Sequence, residues 1–244
     1  MLEAVFISDL HLHPDEKGIT RRFEAFLAWI STNPSRKLFI LGDFFHAWAG
    51  DDSLDSWSEG IAESLAKLTA LGIDTFYMHG NRDFLIGSKF IKKAGLKLLP
   101  DPAIIELDGQ RILLSHGDRY CTLDKAHQRF RRLTRNRLFN ILFLSLPLSF
   151  RNRMVESVRQ QSQSNRSLSY DVMDVVAETC IKEMQAYHAP VLIHGHTHKP
   201  ATSEYRVSES SVLLRYVLSD WDNTPKFLCF DEKRGLEYVD LKSS

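Results

Sequence analysis

Five short polar clusters, each at the end of an apolar β-type run, constrain this chain more than any other feature of it. Asp9-Leu10-His11 follows the run at 4–8, Gly42-Asp43 the run at 37–41, and His79-Gly80-Asn81-Arg82-Asp83 the run at 74–78. His116-Gly117-Asp118 follows residues 111–115, and His194-Gly195-His196-Thr197-His198 ends a later run. Between the first two runs, Phe23, Phe26, Leu27 and Ile30 recur at helical spacing over 19–31, and between the next two Ile61, Leu65 and Leu68 do so over 61–71. Alternating strand and helix predicts an α/β layered fold. In such sheets the loops beyond the carboxyl ends of the strands converge on a ligand. Residues 103–107 read as a further strand, and 212–218, 226–231 and 236–241 as successive antiparallel strands joined by turns.

Composition narrows the class. The 244 residues carry 31 Lys and Arg against 31 Asp and Glu, enough chain for one large core with an inserted subdomain and too balanced for a general nucleic-acid binder. No apolar run reaches the roughly 18 residues of a membrane-spanning helix. The first residues lack the basic head and apolar stretch of a signal peptide. Cys121, Cys180 and Cys229 lie far apart, match no zinc spacing and are odd in number. Reduced thiols in a cytosolic protein are therefore expected.

The residue types in the clusters select the chemistry. Imidazoles, carboxylates and one carboxamide suit Mn²⁺, Fe²⁺ or Zn²⁺, and no cysteine stands among them. Asp9 and His11, and likewise His196 and His198, are two apart, which on an extended strand turns both side chains to one side. Asp9, His11, Asp43, Asn81, His116, His196 and His198 make seven donors, natural for two ions with Asp43 as a bridge. Two divalent ions with two carboxylate ligands keep a net positive charge that attracts phosphate. At a separation of roughly 3.5–4 Å they make water a strong nucleophile near neutral pH. Thr197 and His194 read as structural.

One segment departs from the alternation. Residues 125–159 hold nine cations (Lys125, Arg129, Arg131, Arg132, Arg135, Arg137, Arg151, Arg153, Arg159) and one acid, Glu156. Inside it, LFNILFLSLPLSF at 138–150 is apolar yet, as a helix of about 20 Å, too short to cross a bilayer. It reads either as a buried hairpin with solvated arginines or as a surface lid whose cations attract anionic lipid head groups. Cations at both ends favour the second reading. The spacing also marks an insertion: 80 residues separate His116 from His196, against 34, 38 and 35 between the earlier donors.

The order D-x-H, GD, GN, H, GHxH from Ser8 to His198 resembles the calcineurin-like metallophosphoesterases. Gly42-Asp43-Phe44-Phe45-His46-Ala47-Trp48-Ala49-Gly50-Asp51-Asp52 narrows the resemblance to the UDP-2,3-diacylglucosamine pyrophosphohydrolases of Gram-negative bacteria. So do Gly80-Asn81-Arg82-Asp83-Phe84-Leu85, His116-Gly117-Asp118 with Cys121-Thr122 and Asp124, and His194 to Pro200. The resemblance implies an α/β fold, a β-sandwich flanked by helices in four layers (α-β-β-α). Its core would be 1–120 and 171–244, with a helical lid inserted at 121–170. It implies hydrolysis of UDP-2,3-diacylglucosamine to UMP and 2,3-diacylglucosamine 1-phosphate in lipid A synthesis, water entering at the α-phosphorus. Two Mn²⁺ per chain would serve, other divalent ions also fitting. The site of work would be the cytoplasmic face of the inner membrane, as a peripheral protein, and a monomer is expected.

By position, Asp9, His11, Asp43 and His198 would hold one ion, and Asp43, Asn81, His116 and His196 the other. Asp43, Asn81, Arg82 and His116 would carry the catalysis. Many metallophosphoesterases have histidine where this chain has Arg82. Arginine cannot act as an acid but can grip phosphate oxygens in a fork, or it could pair with Asp83 or Asp118 instead. Substrate contacts map to Asn81, Arg82, His196, Asp124, Ser162 and Asn165. The family lysine after that asparagine is missing, and Arg166 stands near its place. Two other readings keep the sequence pattern: a different nucleotide diphosphate or a cyclic nucleotide as substrate, or a non-catalytic scaffold. The scaffold sits badly with a complete set of seven donors.

Overall fold

The structure is a computed structural model that describes residues 2–33, 35–164 and 174–241, with the side chains of 159–164 aside. A six-stranded sheet has the order β11-β10-β1-β2-β3-β4, built from β1 (Leu2–Ile7), β2 (Ser35–Leu41), β3 (Asp74–Met78), β4 (Lys97–Leu99), β10 (Lys226–Asp231) and β11 (Gly235–Asp240). A five-stranded sheet has the order β5-β6-β7-β9-β8, from β5 (Ala103–Leu107), β6 (Gln110–Ser115), β7 (Val191–His194), β8 (Ala201–Arg206) and β9 (Val212–Val217). In the first sheet β1, β2, β3 and β4 run parallel, and in the second β6, β7 and β9 do.

Side-chain alternation along the central strands builds the layers. On β1, Val5 and Ile7 face one side with Leu38 and Ile40 of β2, against Ile19, Phe23, Phe26 and Ile30 of α1 (Lys17–Thr32). Ile61, Leu65 and Leu68 of α2 (Ser56–Ala70) and Phe90 of α3 (Ser88–Lys93) complete that layer. Ala4, Phe6, Phe39 and Leu41 face the other way, onto Ile112, Leu114, Val191 and Ile193 of the second sheet. The outer face of the second sheet packs Leu113, Leu192 and Leu213 against Cys180 and Met184 of α7 (Ala177–Ala186). The result is α-β-β-α. Both sheets are covered on both faces, which is why their central strands read as unbroken apolar runs.

The carboxyl-terminal third differs from its sequence reading. The strands at 212–217 and 226–231 are not neighbours: β9 lies in the second sheet beside β7 and β8, and β10 crosses to the first, antiparallel to β1. Alternation specifies which face of a strand is buried but not which sheet it joins. The segment after Cys121 is helical rather than a hairpin. It forms α4 (Lys125–Thr134), α5 (Arg137–Leu144) and α6 (Leu148–Ser164), the last two separated at Pro147. Leu138, Ile141, Leu142, Leu146 and Phe150 are exposed, so the buried hairpin does not form, and only Phe143 is fully covered.

Phe39 lies in the middle of the sandwich, stacked on Phe6 at 5.0 Å and on Phe76 at 4.9 Å between ring centroids. Replacing it with alanine opens a cavity flanked by two aromatic rings. Phe39→Ala is expected to lower the stability by about 3–5 kcal/mol in urea denaturation, with an unchanged m-value.

Candidate metal centre

The carboxyl ends of β1, β2, β3, β6 and β7 lie at one rim of the sandwich, and the five polar clusters leave the sheets there. The donors do not sit on the strands themselves. β1 ends at Ile7 and β7 at His194, and Asp9, His11, Asp43, His196 and His198 all have positive φ, between 50° and 71°. Alternation along an extended strand is therefore not what turns Asp9 with His11, or His196 with His198. Each loop bends through a left-handed residue instead. That conformation costs energy for any residue with a Cβ and persists where surrounding contacts enforce it.

Two neighbouring sets of donors result. Candidate ligand atoms of Asp9, His11 and His198 lie within 4.8 Å of one another, and so do those of Asp9, Asp43 and His116. In the first set His11 Nε2 and His198 Nε2 are 3.2 Å apart, and His198 Nε2 is 3.4 Å from Asp9 Oδ1. In the second, Asp43 Oδ1 is 3.6 Å from His116 Nε2, which lies 2.9 Å from Asn81 Oδ1. Asp43 Oδ2 reaches back to within 4.0 Å of His11 Nδ1, so this carboxylate stands between the sets. The His196 ring packs 5.2 Å from that of His116. All seven sequence-derived donors are thus at the rim, with Asp9 common to both compact sets.

The surroundings hold these groups as ligands need to be held. His116 Nδ1 faces the Leu41 carbonyl at 2.9 Å, which places its proton there and leaves Nε2 for the site. His198 Nδ1 faces Asp220 Oδ2 at 3.5 Å, and Asp9 Oδ2 accepts from Ser8 Oγ at 2.5 Å and from the His196 amide at 2.8 Å. Gly80 and Gly195 are needed for room: a Cβ at either would run into the Asp43 or the Asp9 carboxylate.

Charge tells the same story. Asp9 and Asp43 are 0% and 2% exposed, and Asp9 Oδ1 and His11 Nδ1 are buried without a hydrogen-bond partner. Burial alone would raise Asp9, yet the adjoining His198 holds it far below the usual carboxylate range. Burial, with Asp83 and Asp9 nearby, pushes Asp43 up to about 6 despite His116 and Arg82. Burial disfavours the cations of His116 and His198, but Asp43 and Asp9 beside the one and Asp9 beside the other outweigh it, raising them to about 9 and about 10. His11 and His196 go the opposite way, driven down by burial and by nearby cations. Paired buried carboxylates, neutral imidazoles and orphaned oxygen and nitrogen atoms are the donor set a divalent cation satisfies, so the residues fit the metal.

Arg82 pairs with neither Asp83 nor Asp118. Its amide donates to Asp43 Oδ1 at 2.9 Å and its Nε lies 3.6 Å from Asp43 Oδ2. Asp83 has a different task, unforeseen from sequence although it stands inside a quoted cluster. Fully buried, it accepts from the amides of Phe44 at 2.7 Å and Gly80 at 2.8 Å, tying the Asp43 loop to the Asn81 loop. Asp220 and His127 were also missed. His127 packs its ring 5.2 Å from that of His196 and sits 3.9 Å from Asp118 Oδ2. His79 turns from the site and bonds the Ile86 carbonyl. Asp124 caps α4 through the His127 amide at 2.8 Å. Ser162 lies on α6 with its side chain outside the described residues, as are Asn165 and Arg166 entirely.

Comparisons with known proteins agree with this geometry. A family model described as calcineurin-like phosphoesterase matches residues 3–200. The chain is 42% identical over 229 residues to a UDP-2,3-diacylglucosamine hydrolase of Stutzerimonas stutzeri, covering 93% of this chain and 95% of that one. It is 41% identical over 234 residues to the protein of the same name from Aromatoleum aromaticum, covering 94% of each. Among solved structures, an archaeal phosphodiesterase shares the fold at a TM-score of 0.51 and 12% identity, covering 97% of this chain and 98% of that one. A dimetal phosphatase of Danio rerio shares it at 0.50 and 13%, covering 99% and 98%.

Asp83 generates a test of how the donors are held. Asp83→Asn keeps the shape but weakens the acceptor for two amides, and is expected to reduce divalent-ion affinity by about 10–100-fold. Calorimetric titration of the metal-free variant with Mn²⁺ would measure it, and an unchanged affinity would remove Asp83 from this role.

Proposed function

The chain belongs to the calcineurin-like phosphoesterase family, and on that basis we propose that it hydrolyses the pyrophosphate of UDP-2,3-diacylglucosamine, releasing UMP and 2,3-diacylglucosamine 1-phosphate. The observation that carries this reading is a candidate metal-donor set combined with an exposed apolar helix pair, in a chain whose relatives over nine-tenths of its length are named for that substrate. A sugar nucleotide bearing two acyl chains needs both a polar reaction centre and an apolar surface. Each CH₂ removed from water is worth roughly 0.8 kcal/mol.

In this reading Asp9, His11, Asp43 and His198 would hold one Mn²⁺ or similar ion, and Asp43, Asn81, His116 and His196 the other. Bound there, such ions would supply a nucleophile from water near neutral pH and positive charge for the phosphoryl oxygens. Arg82, leaning on Asp43 through Nε, brings a permanent cation to the same oxygens. An arginine does not serve as a general acid, so the sugar 1-phosphate departs as its own anion. Water enters at the α-phosphorus, the bond to the bridging oxygen breaks, and UMP retains the new oxygen. Asp124, Ser162, Asn165 and Arg166 are proposed as nucleotide and glucosamine contacts, with Asp124 also serving as helix cap.

Residues 121–170 are read as a lid over the acyl chains, on a core of 1–120 and 171–244. Among the described residues the arginines of this segment divide into two kinds. Arg131 and Arg135 turn inward to Asp101, Asp118 and the His79 carbonyl, and Arg151 is buried, so these three do not face a membrane. Arg129, Arg132, Arg137 and Arg153 are exposed and flank the apolar side chains. They support peripheral attachment to the anionic cytoplasmic face of the inner membrane by a monomer. Among the described residues no helix is long and apolar enough to cross a bilayer.

Purified protein loaded with Mn²⁺ is expected to release UMP from the diacylated sugar nucleotide and to act far more slowly on deacylated UDP-glucosamine, with Asp43→Ala abolishing both activities. Equal turnover of the two substrates would point to a soluble nucleotide diphosphate instead. Leu142→Asp with Leu146→Asp alters exposed positions. Binding to anionic vesicles should drop at least about tenfold, since a fully buried leucine is worth ~1.5–3 kcal/mol, while metal content stays unchanged. A variant that unfolds instead would mean these leucines are core.

A further inference from the structure

Arg151 is the one arginine among the described residues that is fully buried, at 1% exposed, yet it lies on α6 beside an exposed apolar surface. Its guanidinium is used on every side. Nε donates to the Leu146 carbonyl at 2.9 Å, fastening the connection between α5 and α6. Nη1 donates to Asp52 Oδ1 at 2.9 Å and to the Ala49 carbonyl, and Nη2 pairs with Asp52 Oδ2. The Asp52 carboxyl is held below its ordinary range, first by this hydrogen bond. Gly50 between them has φ 125°, and a Cβ there would come within 2.5 Å of Nη1 and 2.7 Å of a Leu144 methyl. Glycine is what lets the guanidinium and the end of α5 close on the loop.

The same loop reaches the reaction centre. Asp51 turns opposite to Asp52 and accepts from the amides of Gly87 and Lys89, both at 2.8 Å, and of Phe90 at 3.1 Å, at the start of α3. It also accepts from Trp48 Nε1 at 3.2 Å, and the Trp48 amide donates to the Arg82 carbonyl at 3.2 Å. Two consecutive carboxylates thus connect the apolar helix pair on one side with the Arg82 loop on the other. Beside the clamp an open cavity of about 300 Å³ is walled by Ala47, Ala49 and Ser53 of the loop and by Asn152, Val155 and Glu156 of α6.

We propose that Arg151 is a positioning residue for substrate selectivity: by clamping α5 and α6 to Asp52 and Ala49, it sets the distance between the apolar surface that takes acyl chains and the phosphate-gripping Arg82. The inference rests on the acylated substrate of the preceding reading. The pair joins a buried guanidinium to a carboxylate that is 56% exposed and so adds little net stability, but a planar fork with five donors fixes one arrangement where an ammonium does not. Helix α4 has its own anchorage, Arg131 to Asp118 at 3.1 Å and to Asp101 at 2.9 Å. Loss of Arg151 therefore frees α5 and α6 without detaching the whole segment.

The test uses the full-length, Mn²⁺-loaded protein as wild type, Arg151→Ala, Arg151→Lys, Asp52→Asn and the exchanged pair Arg151→Asp with Asp52→Arg. Kinetics on diacylated UDP-glucosamine and on its deacylated form are paired with amide hydrogen exchange. In Arg151→Ala, KM for the diacylated substrate should rise about tenfold, equivalent to ~1.4 kcal/mol, with kcat within about twofold. The deacylated substrate should be handled as by wild type. Exchange should quicken across 137–158 while β1, β2 and β6 keep their protection. Arg151→Lys and Asp52→Asn should fall between, and the exchanged pair should recover part of the loss. An unchanged KM, equal losses on both substrates, or unchanged exchange in α5 and α6 would overturn the proposal. A wild type that ignores the diacylated substrate would overturn the substrate reading and the selectivity together, and the exchange data would then still decide whether Arg151 clamps the helices.

Discussion

The carboxylates of Asp9 and Asp43 are taken out of water at the rim where the two sheets meet, and a buried carboxylate without partners costs several kcal/mol. Nearly everything at that rim is arranged around this cost. Ser8, the His196 amide and His198 surround Asp9, and the Arg82 amide, His116 and the Arg82 side chain surround Asp43. The carboxylates leave the first sheet, and the three histidines His116, His196 and His198 leave the second. Charge compensation at the site is therefore also what registers one sheet's loops on the other's.

The adjoining carboxylates shift His116 and His198 upward despite their burial, whereas burial and nearby cations shift His11 and His196 down. Imidazoles ligate metals in the neutral form, so binding of a divalent ion would be coupled to proton release. The rigid sandwich below supplies the counterforce for the left-handed backbone at Asp9, His11, Asp43, His196 and His198. Strained residues gathered at one rim are a mark of a functional site rather than of loose loops.

Above this rim the helical segment is held by arginines as well as by the apolar packing of Phe139, Phe143 and Val155. Arg131 and Arg135 grip the second sheet's side through Asp101 and Asp118, and Arg151 grips the first sheet's side through Asp52. Polar fastening leaves the leucines of α5 and the start of α6 facing outward, available to something other than the core. Among the described residues, cations thus serve both attachment and surface in one stretch of chain.

What could be read from the linear chain was periodic or local. Apolar runs buried on both faces, amphipathic helices at 19–31 and 61–71, and polar clusters at strand ends each depend on neighbours in sequence, and with the family resemblance they identified the layered fold and pointed to seven candidate donors at one rim. Other features came from partners distant in the chain. The crossing of β10 to the first sheet, the turn of Arg82 onto Asp43 rather than onto Asp83, and the inward course of Arg131, Arg135 and Arg151 were settled by tertiary contacts. So was the bent, left-handed path of the donor loops, which replaced the extended strands expected of the D-x-H and H-x-H spacings. An arginine looks the same in sequence whether it meets water or a buried carboxylate, and only the packed structure determines which of the two surrounds it.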